Sequence, residues 1–163
     1  MKRALVTILA LFVLCQMAGA AKTAAPKGSA QGDLIPKAKA FFQRYVELEH
    51  AFDPSIADLY SDQAVIKNTQ YQADGKIVPL TKPVDKYKPI LRNYMKTKAR
   101  QIGDVSNYTN DTYTVEGSNR VRIKVTRYSS IEKVSSPVSM LVGPDATGKW
   151  LIYEELSESH QKR

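Results

Sequence analysis

The chain is poor in the residues that most often carry chemistry. Its 163 residues hold one cysteine, Cys15, one tryptophan, Trp150, and two histidines, His50 and His160. A lone cysteine excludes an internal disulfide, so stability must come from an ordinary hydrophobic core. Neither histidine has cysteines or carboxylates around it at ligand spacing, so no metal site is expected. Long apolar runs are missing after the first twenty residues, and no segment repeats another. With 43% apolar and 25% charged residues, the composition excludes a disordered chain, a disulfide-stapled miniprotein and a multidomain enzyme.

What is present begins with an export pattern. Lys2 and Arg3 precede an apolar run from Ala4 to Leu14, and Ala18-Gly19-Ala20 follows as a small-residue cleavage site. The run is well short of the roughly 20 residues that span a bilayer. Leu14 is bulky for the position before a lipidated cysteine, which argues against an anchor on Cys15. Cleavage after Ala20 removes Cys15, Lys2 and Arg3 and lowers the formal charge from +8 to +6. Residues 21–32 carry no large apolar side chain and read as a flexible leader. The expected organisation is a signal peptide (1–20), the leader, one domain (33–158) and a tail (159–163), in a periplasmic or secreted protein.

Periodicity sets the elements of that domain. Leu34, Ala38, Phe41, Phe42, Tyr45, Leu48 and Phe52 recur at helical spacing on one face, and Pro36 falls in the first turn, where its missing N–H costs little. Asp53-Pro54 is a capping pair and opens a short helix with Ile56, Leu59 and Tyr60. Ala64–Gln72 predicts a strand, Asp74-Gly75 a tight turn, and Lys76–Leu80 an edge strand marked by Pro79. A third helix is expected from Pro89 to Ala99. Strands follow at 104–115, 119–129, 134–142 and 149–157, with turns at Glu116-Gly117-Ser118 and Gly143-Pro144-Asp145. Helices followed by a run of strands predict an α+β domain, its helices on one face of a curved antiparallel sheet.

Three passages carry a family resemblance: Gln43-Arg44-Tyr45-Val46, the stretch Ile56–Val65, and Gly148-Lys149-Trp150-Leu151-Ile152. In order and spacing they resemble the nuclear transport factor 2-like superfamily, which includes ketosteroid isomerases and polyketide cyclases. The resemblance implies a cone-shaped, cystatin-like fold with an apolar pocket at its open end, and dimerisation through the sheet. Isomerase chemistry needs a carboxylate base, a tyrosine donor and a protonated acid. Tyr45 falls at the tyrosine position, but the base position falls on Asn68, which takes up no proton. The stretch expected to supply the acid, 134–142, has neither Asp nor Glu. A dehydratase would call on His–Asp pairs, and His50 suits a helix C-terminus better than a site.

The leading expectation is therefore an exported, non-catalytic domain without a cofactor that binds a small apolar or aromatic molecule. Nine tyrosines suit such a pocket, although phenols also serve as core filler with their hydroxyls reaching water. Tyr45, Tyr60, Asn68 and Tyr113 are expected around it, with Arg122 and Glu154 as further polar members and Trp150 in the core. The stretch 106–112, with Tyr108, is polar on both strand faces and fits a solvated edge or a pocket mouth. It also holds two N-x-T patterns, at Asn107 and Asn110. A second reading is an enzyme that pairs Tyr45 with Asp62 or Glu154.

Charge supports a third reading. Residues 76–100 hold eight bases and one acid, Asp85, whereas 47–62 hold five acids and no Lys or Arg. Lys88, Arg92, Lys96 and Arg100 recur every four residues, a basic ridge for an anionic surface or an acidic protein partner, with a solvated helix face as the alternative. Export, and a ridge without interleaved aromatics, disfavour nucleic acid.

Overall fold

A computed structural model describes residues 32–160; the expected signal peptide, and the leader up to residue 31, lie outside the described residues. Helix α1, Leu34–His50, buries Leu34, Ala38, Phe41, Phe42 and Leu48 along the expected stripe. Phe52 is not its last member: it lies past the helix with a φ of 52°. The Asp53 carboxylate then accepts the Ser55 N–H at 2.8 Å, and Pro54–Leu59 winds as a 3₁₀ helix. Tyr60, expected on that helix, instead opens strand β1, Tyr60–Tyr71.

Strand β2, Ile77–Lys82, returns through the Asp74-Gly75 turn and pairs Pro79 with Thr69. Helix α2, Val84–Tyr94, begins five residues before the expected start, because Pro83 rather than Pro89 precedes its first turn. It continues through a π-helical turn at Met95–Ala99 into Arg100–Ile102, and Gly103, at a φ of 64°, ends it. Strands β3 (Ser106–Glu116), β4 (Arg120–Ser129), β5 (Ser135–Pro144) and β6 (Trp150–His160) follow. The last turn lies later than expected, where the Asp145 carboxylate accepts the N–H groups of Thr147 and Lys149 at 2.8 and 3.0 Å. Strand β6 also takes in Ser159 and His160, two residues expected in the tail, and His160 stacks on Tyr71 with ring centroids 4.7 Å apart.

The six strands form one sheet in the order β2-β1-β6-β5-β4-β3. Every pair is antiparallel except β1 and β6, which run parallel. This departs from a purely antiparallel expectation and has a topological cause. Helix α2 carries the chain from one sheet edge to the other, and three antiparallel steps then bring β6 back beside β1 in the same direction. Val121, Ile123 and Val125 of β4, Val138, Met140 and Val142 of β5, Ile66 and Ile152 meet the buried face of α1 in the main core. Leu48, Ile56, Met95 and Ala99 form a second cluster between α1, the 3₁₀ helix and the π turn.

One glycine in the sheet is there for lack of space. A Cβ on Gly143 would lie 2.4 Å from the Asn119 carbonyl oxygen and 2.8 Å from the Arg120 side chain. Gly143→Ala is therefore expected to cost about 1–3 kcal/mol by overpacking. Urea denaturation should show a lower midpoint at unchanged slope.

Candidate functional site

Two helices leave a hollow where they meet the sheet. The C-terminal half of α1, helix α2 with its π turn, and the inward faces of β3, β4 and β6 line a half-open hollow of about 450 Å³. Tyr45 and Glu49 reach it from α1, Tyr87, Leu91, Tyr94 and Met95 from α2 and its π turn, Ser106 and Tyr108 from β3, Arg127 from β4 and Glu155 from β6. Lys82, Lys98, Asp104 and Glu132 also line it, together with Ile90, Ile102 and Ile131. The volume suits a small organic molecule.

The inner wall carries two carboxyl groups that are almost removed from solvent, Glu49 and Glu155, each 7% exposed. Burial raises the pKa of both above the ordinary glutamate value. For Glu155 this is partly offset by the Tyr60 hydroxyl, which donates to Oε2, and by the charge of Arg127. For Glu49 the neighbouring Ser106 and Tyr108 hydroxyls act in the same offsetting sense. Burial is also the largest cause holding the phenols of Tyr45, Tyr60, Tyr87 and Tyr108 in the protonated form, and the nearby glutamates add to it. The inner wall thus sets phenols and two buried carboxyls beside the Arg127 guanidinium.

Aromatic packing holds the phenols in place. Phe42 stacks on Tyr45, with centroids 6.1 Å apart, and meets Tyr108 edge-on at 5.4 Å. Tyr60 meets Tyr87 edge-on at 5.3 Å. At the end of α1, His50 Nε2 donates to the Ser106 carbonyl at 2.8 Å and ties the helix to β3. No group of three His, Cys, Asp or Glu among the described residues is placed to hold a metal ion.

The residues expected to share one pocket are divided in space. Tyr45 lines the cavity, and Tyr60 lies behind its wall, bonded to Glu155. Asn68 does not line it; its side chain bonds Ser157 and Ser159 across the β1–β6 pair at 3.1 and 2.8 Å. Tyr113 faces a separate open groove of about 780 Å³ between α1 and the edge strand β3, with the Lys39 ammonium 5.3 Å above its ring. Burial and a nearby Asp111 push the Tyr113 phenol up to about 12. Arg122 and Glu154 pair with each other, and Arg122 also pairs with Glu116, on the outer face of the sheet. Trp150 packs against the main core.

Neither carboxylate proposed as a partner for Tyr45 reaches it, since Asp62 pairs with Lys88 and Glu154 with Arg122. Sequence reasoning missed the two that do lie in the cavity. Glu49 stands four residues after Tyr45 on α1, so a carboxylate inside the apolar stripe was the available signal. Glu155 had a misleading one. Strict alternation from Ile152 turns Glu154 inward, but β5 pairs Val142 with Ile152 and Leu141 with Glu154, so one extra residue bulges at Tyr153. The bulge exchanges the faces and turns Glu155 inward.

The basic ridge is not a free cationic face. The Lys88 ammonium bonds the Tyr60 carbonyl at 3.0 Å and the Asp62 carboxylate at 2.6 Å, and Arg92 pairs with Asp58. The acidic stretch 47–62 therefore meets the ridge within the same chain. Lys96 and Arg100 stay exposed, and the π turn between Tyr94 and Arg100 breaks the four-residue spacing.

No protein-family model and no curated protein matches the chain. Solved structures do. A nuclear transport factor 2-like protein of unknown function from Shewanella oneidensis superposes with a TM-score of 0.58 at 10% identity, over 77% of this chain and 98% of that one. A cystatin-like protein from Caulobacter vibrioides gives 0.56 at 11% identity, over 78% and 89%. A Catenulispora acidiphila structure in complex with S-DNPA gives 0.51 at 12% identity, over 78% and 94%. The chain thus has the cystatin-like, nuclear transport factor 2-like fold: an α+β domain with a curved six-stranded sheet and its helices in the N-terminal half. No helix among the described residues is long and apolar enough to cross a membrane.

Proposed function

We propose that this chain is an exported, non-catalytic binding domain that holds a small molecule with an apolar or aromatic body in the cavity under α1 and α2. The observation that carries this reading is the hollow of about 450 Å³ itself, walled by Tyr45, Tyr87 and Tyr108 with a buried carboxyl at Glu49. The hollow is half-open, and a concave wall on which polar groups converge beside apolar ones is the usual form of a ligand site. The ligand bound to the Catenulispora acidiphila neighbour is consistent with it. Native mass spectrometry of the domain purified from its own cells should show a retained non-protein mass. A bare polypeptide mass, with no thermal shift from a panel of small aromatic compounds, would defeat the reading.

A second reading is an acid–base enzyme, and the two carboxyls with raised pKa beside Tyr45 favour it. Glu49→Gln separates the two readings: an enzyme loses turnover by orders of magnitude, whereas a binding domain keeps its ligand. Self-association through the outer sheet face fits the exposed Val65, Tyr128 and Leu156 on that face.

A further inference from the structure

Among the described residues, two buried side-chain atoms lack a hydrogen-bond partner, Glu49 Oε2 and Arg127 Nε. Both residues line the same cavity. A buried donor or acceptor left unpaired costs roughly 1–3 kcal/mol, and more where charge is involved. Solvent does not reach either atom in this conformation, so water does not offset that cost. Small turns of the Glu49 carboxyl and of the guanidinium would present both to a molecule in the hollow.

Arg127 is the more informative of the two. It follows Ile123 and Val125 on the inward face of β4, where a cation is expensive unless paired. Its one hydrogen bond runs from Nη2 to the Glu158 carbonyl at 2.9 Å, and no carboxylate among the described residues lies within ion-pair distance. Glu49 and Glu155 are close enough to feel its charge, but neither is placed to pair with it directly. The remaining charges on the wall are Lys82, over the Tyr87 ring at 5.7 Å, Lys98, Glu132, and Asp104, which takes the Tyr94 hydroxyl. The guanidinium therefore faces a hollow in which no carboxylate of the described residues is placed to pair with it directly.

We propose that the ligand of this cavity is an organic acid. Its carboxylate sits on Arg127, and its apolar or aromatic body lies along Tyr45, Tyr87, Leu91 and Met95. This rests on the binding reading above and adds the chemical class of the ligand. Planar guanidinium is the side chain best matched to a carboxylate in a partly dry site.

The test compares each acid with its own amide. Calorimetric titrations with phenylacetate and phenylacetamide, and with decanoate and decanamide, keep the body constant and remove only the charge. The acids should bind at least about tenfold more tightly. In R127Q the acid should fall to the level of its amide while amide binding survives, which shows that the cavity is intact. Equal binding of acid and amide to the wild type, or unchanged acid binding in R127Q, would overturn this inference alone and leave Arg127 as the counter-ion of Glu49 and Glu155. If neither acid nor amide binds the wild type, the inference falls together with the binding reading. The wild-type comparison needs no variant and stands even if R127Q does not fold.

Discussion

Phe42→Ala is expected to destabilise the domain by about 3–5 kcal/mol and to dismantle the inner wall at the same time. Phe42 is buried in the main core, and its ring is the support on which both Tyr45 and Tyr108 rest. Truncation removes the transfer free energy of a full aromatic side chain and leaves a void between α1 and β3 that a rigid sheet fills poorly. Phe42→Leu keeps most of the volume and should cost distinctly less. Guanidinium denaturation of the pair, read as a shift of the midpoint at constant slope, checks the ordering. If the alanine variant loses under 1 kcal/mol, the packing of α1 on β3 is not as described. Ligand capture gives an independent readout, because the alanine variant should lose it even at temperatures where it remains folded.

The second large effect is on pH dependence, and its sign runs opposite to the ordinary acid-unfolding trend. Glu49 and Glu155 both have pKa values raised by burial. The folded chain keeps their protons over a range in which the unfolded chain has released them. Their contribution to stability is therefore complete below the ordinary value of 4.5 and is lost as pH rises through the higher folded values. Each unit of upward displacement corresponds to about 1.4 kcal/mol. Stability measured at intervals upward from about pH 4.5 should decline in the wild type and decline less in Glu155→Gln, where the amide cannot ionise. A slope unchanged in both Glu155→Gln and Glu49→Gln would show that these carboxyls ionise freely and are not desolvated. At the acid end the trend reverses. Asp53, Asp62, Glu116 and Asp145 have lowered values from hydrogen bonds and neighbouring cations, so protonating them removes stability as pH falls.

Most of the architecture was legible because it rests on local pattern. The three-and-four spacing from Leu34 to Leu48 specified α1 almost to the residue, and the four final strands agree with their expected spans to within a few residues. Pro79 marked an edge strand, and β2 is the edge of the sheet. The start of α2 was misplaced because two Lys-Pro pairs, 82–83 and 88–89, offered the same local signal, and packing against the 3₁₀ helix and β1 selected the first.

The candidate site was legible only in part. Tyr45 could be placed from helical spacing and resemblance together. Asn68, Tyr113, Arg122 and Glu154 lie on strands, where one residue of register decides between opposite faces. The ridge of Lys88 and Arg92 was read as a surface for other molecules because the acids that pair with it, Asp62 and Asp58, lie 26 and 34 residues earlier in the chain.

By itself, the amino-acid sequence determined the fold class, the order of helices and strands, and the absence of disulfide support, since these follow from composition and from periods of 3.6 and 2. Only the tertiary structure decided which carboxyl faces the interior. The bulge at Tyr153 arises from how β6 fits between β5 and β1, and no pattern within β6 announces it. That one added residue put Glu155 beside Tyr60 and left Glu154 with Arg122 outside, because alternation is local while register belongs to the whole sheet.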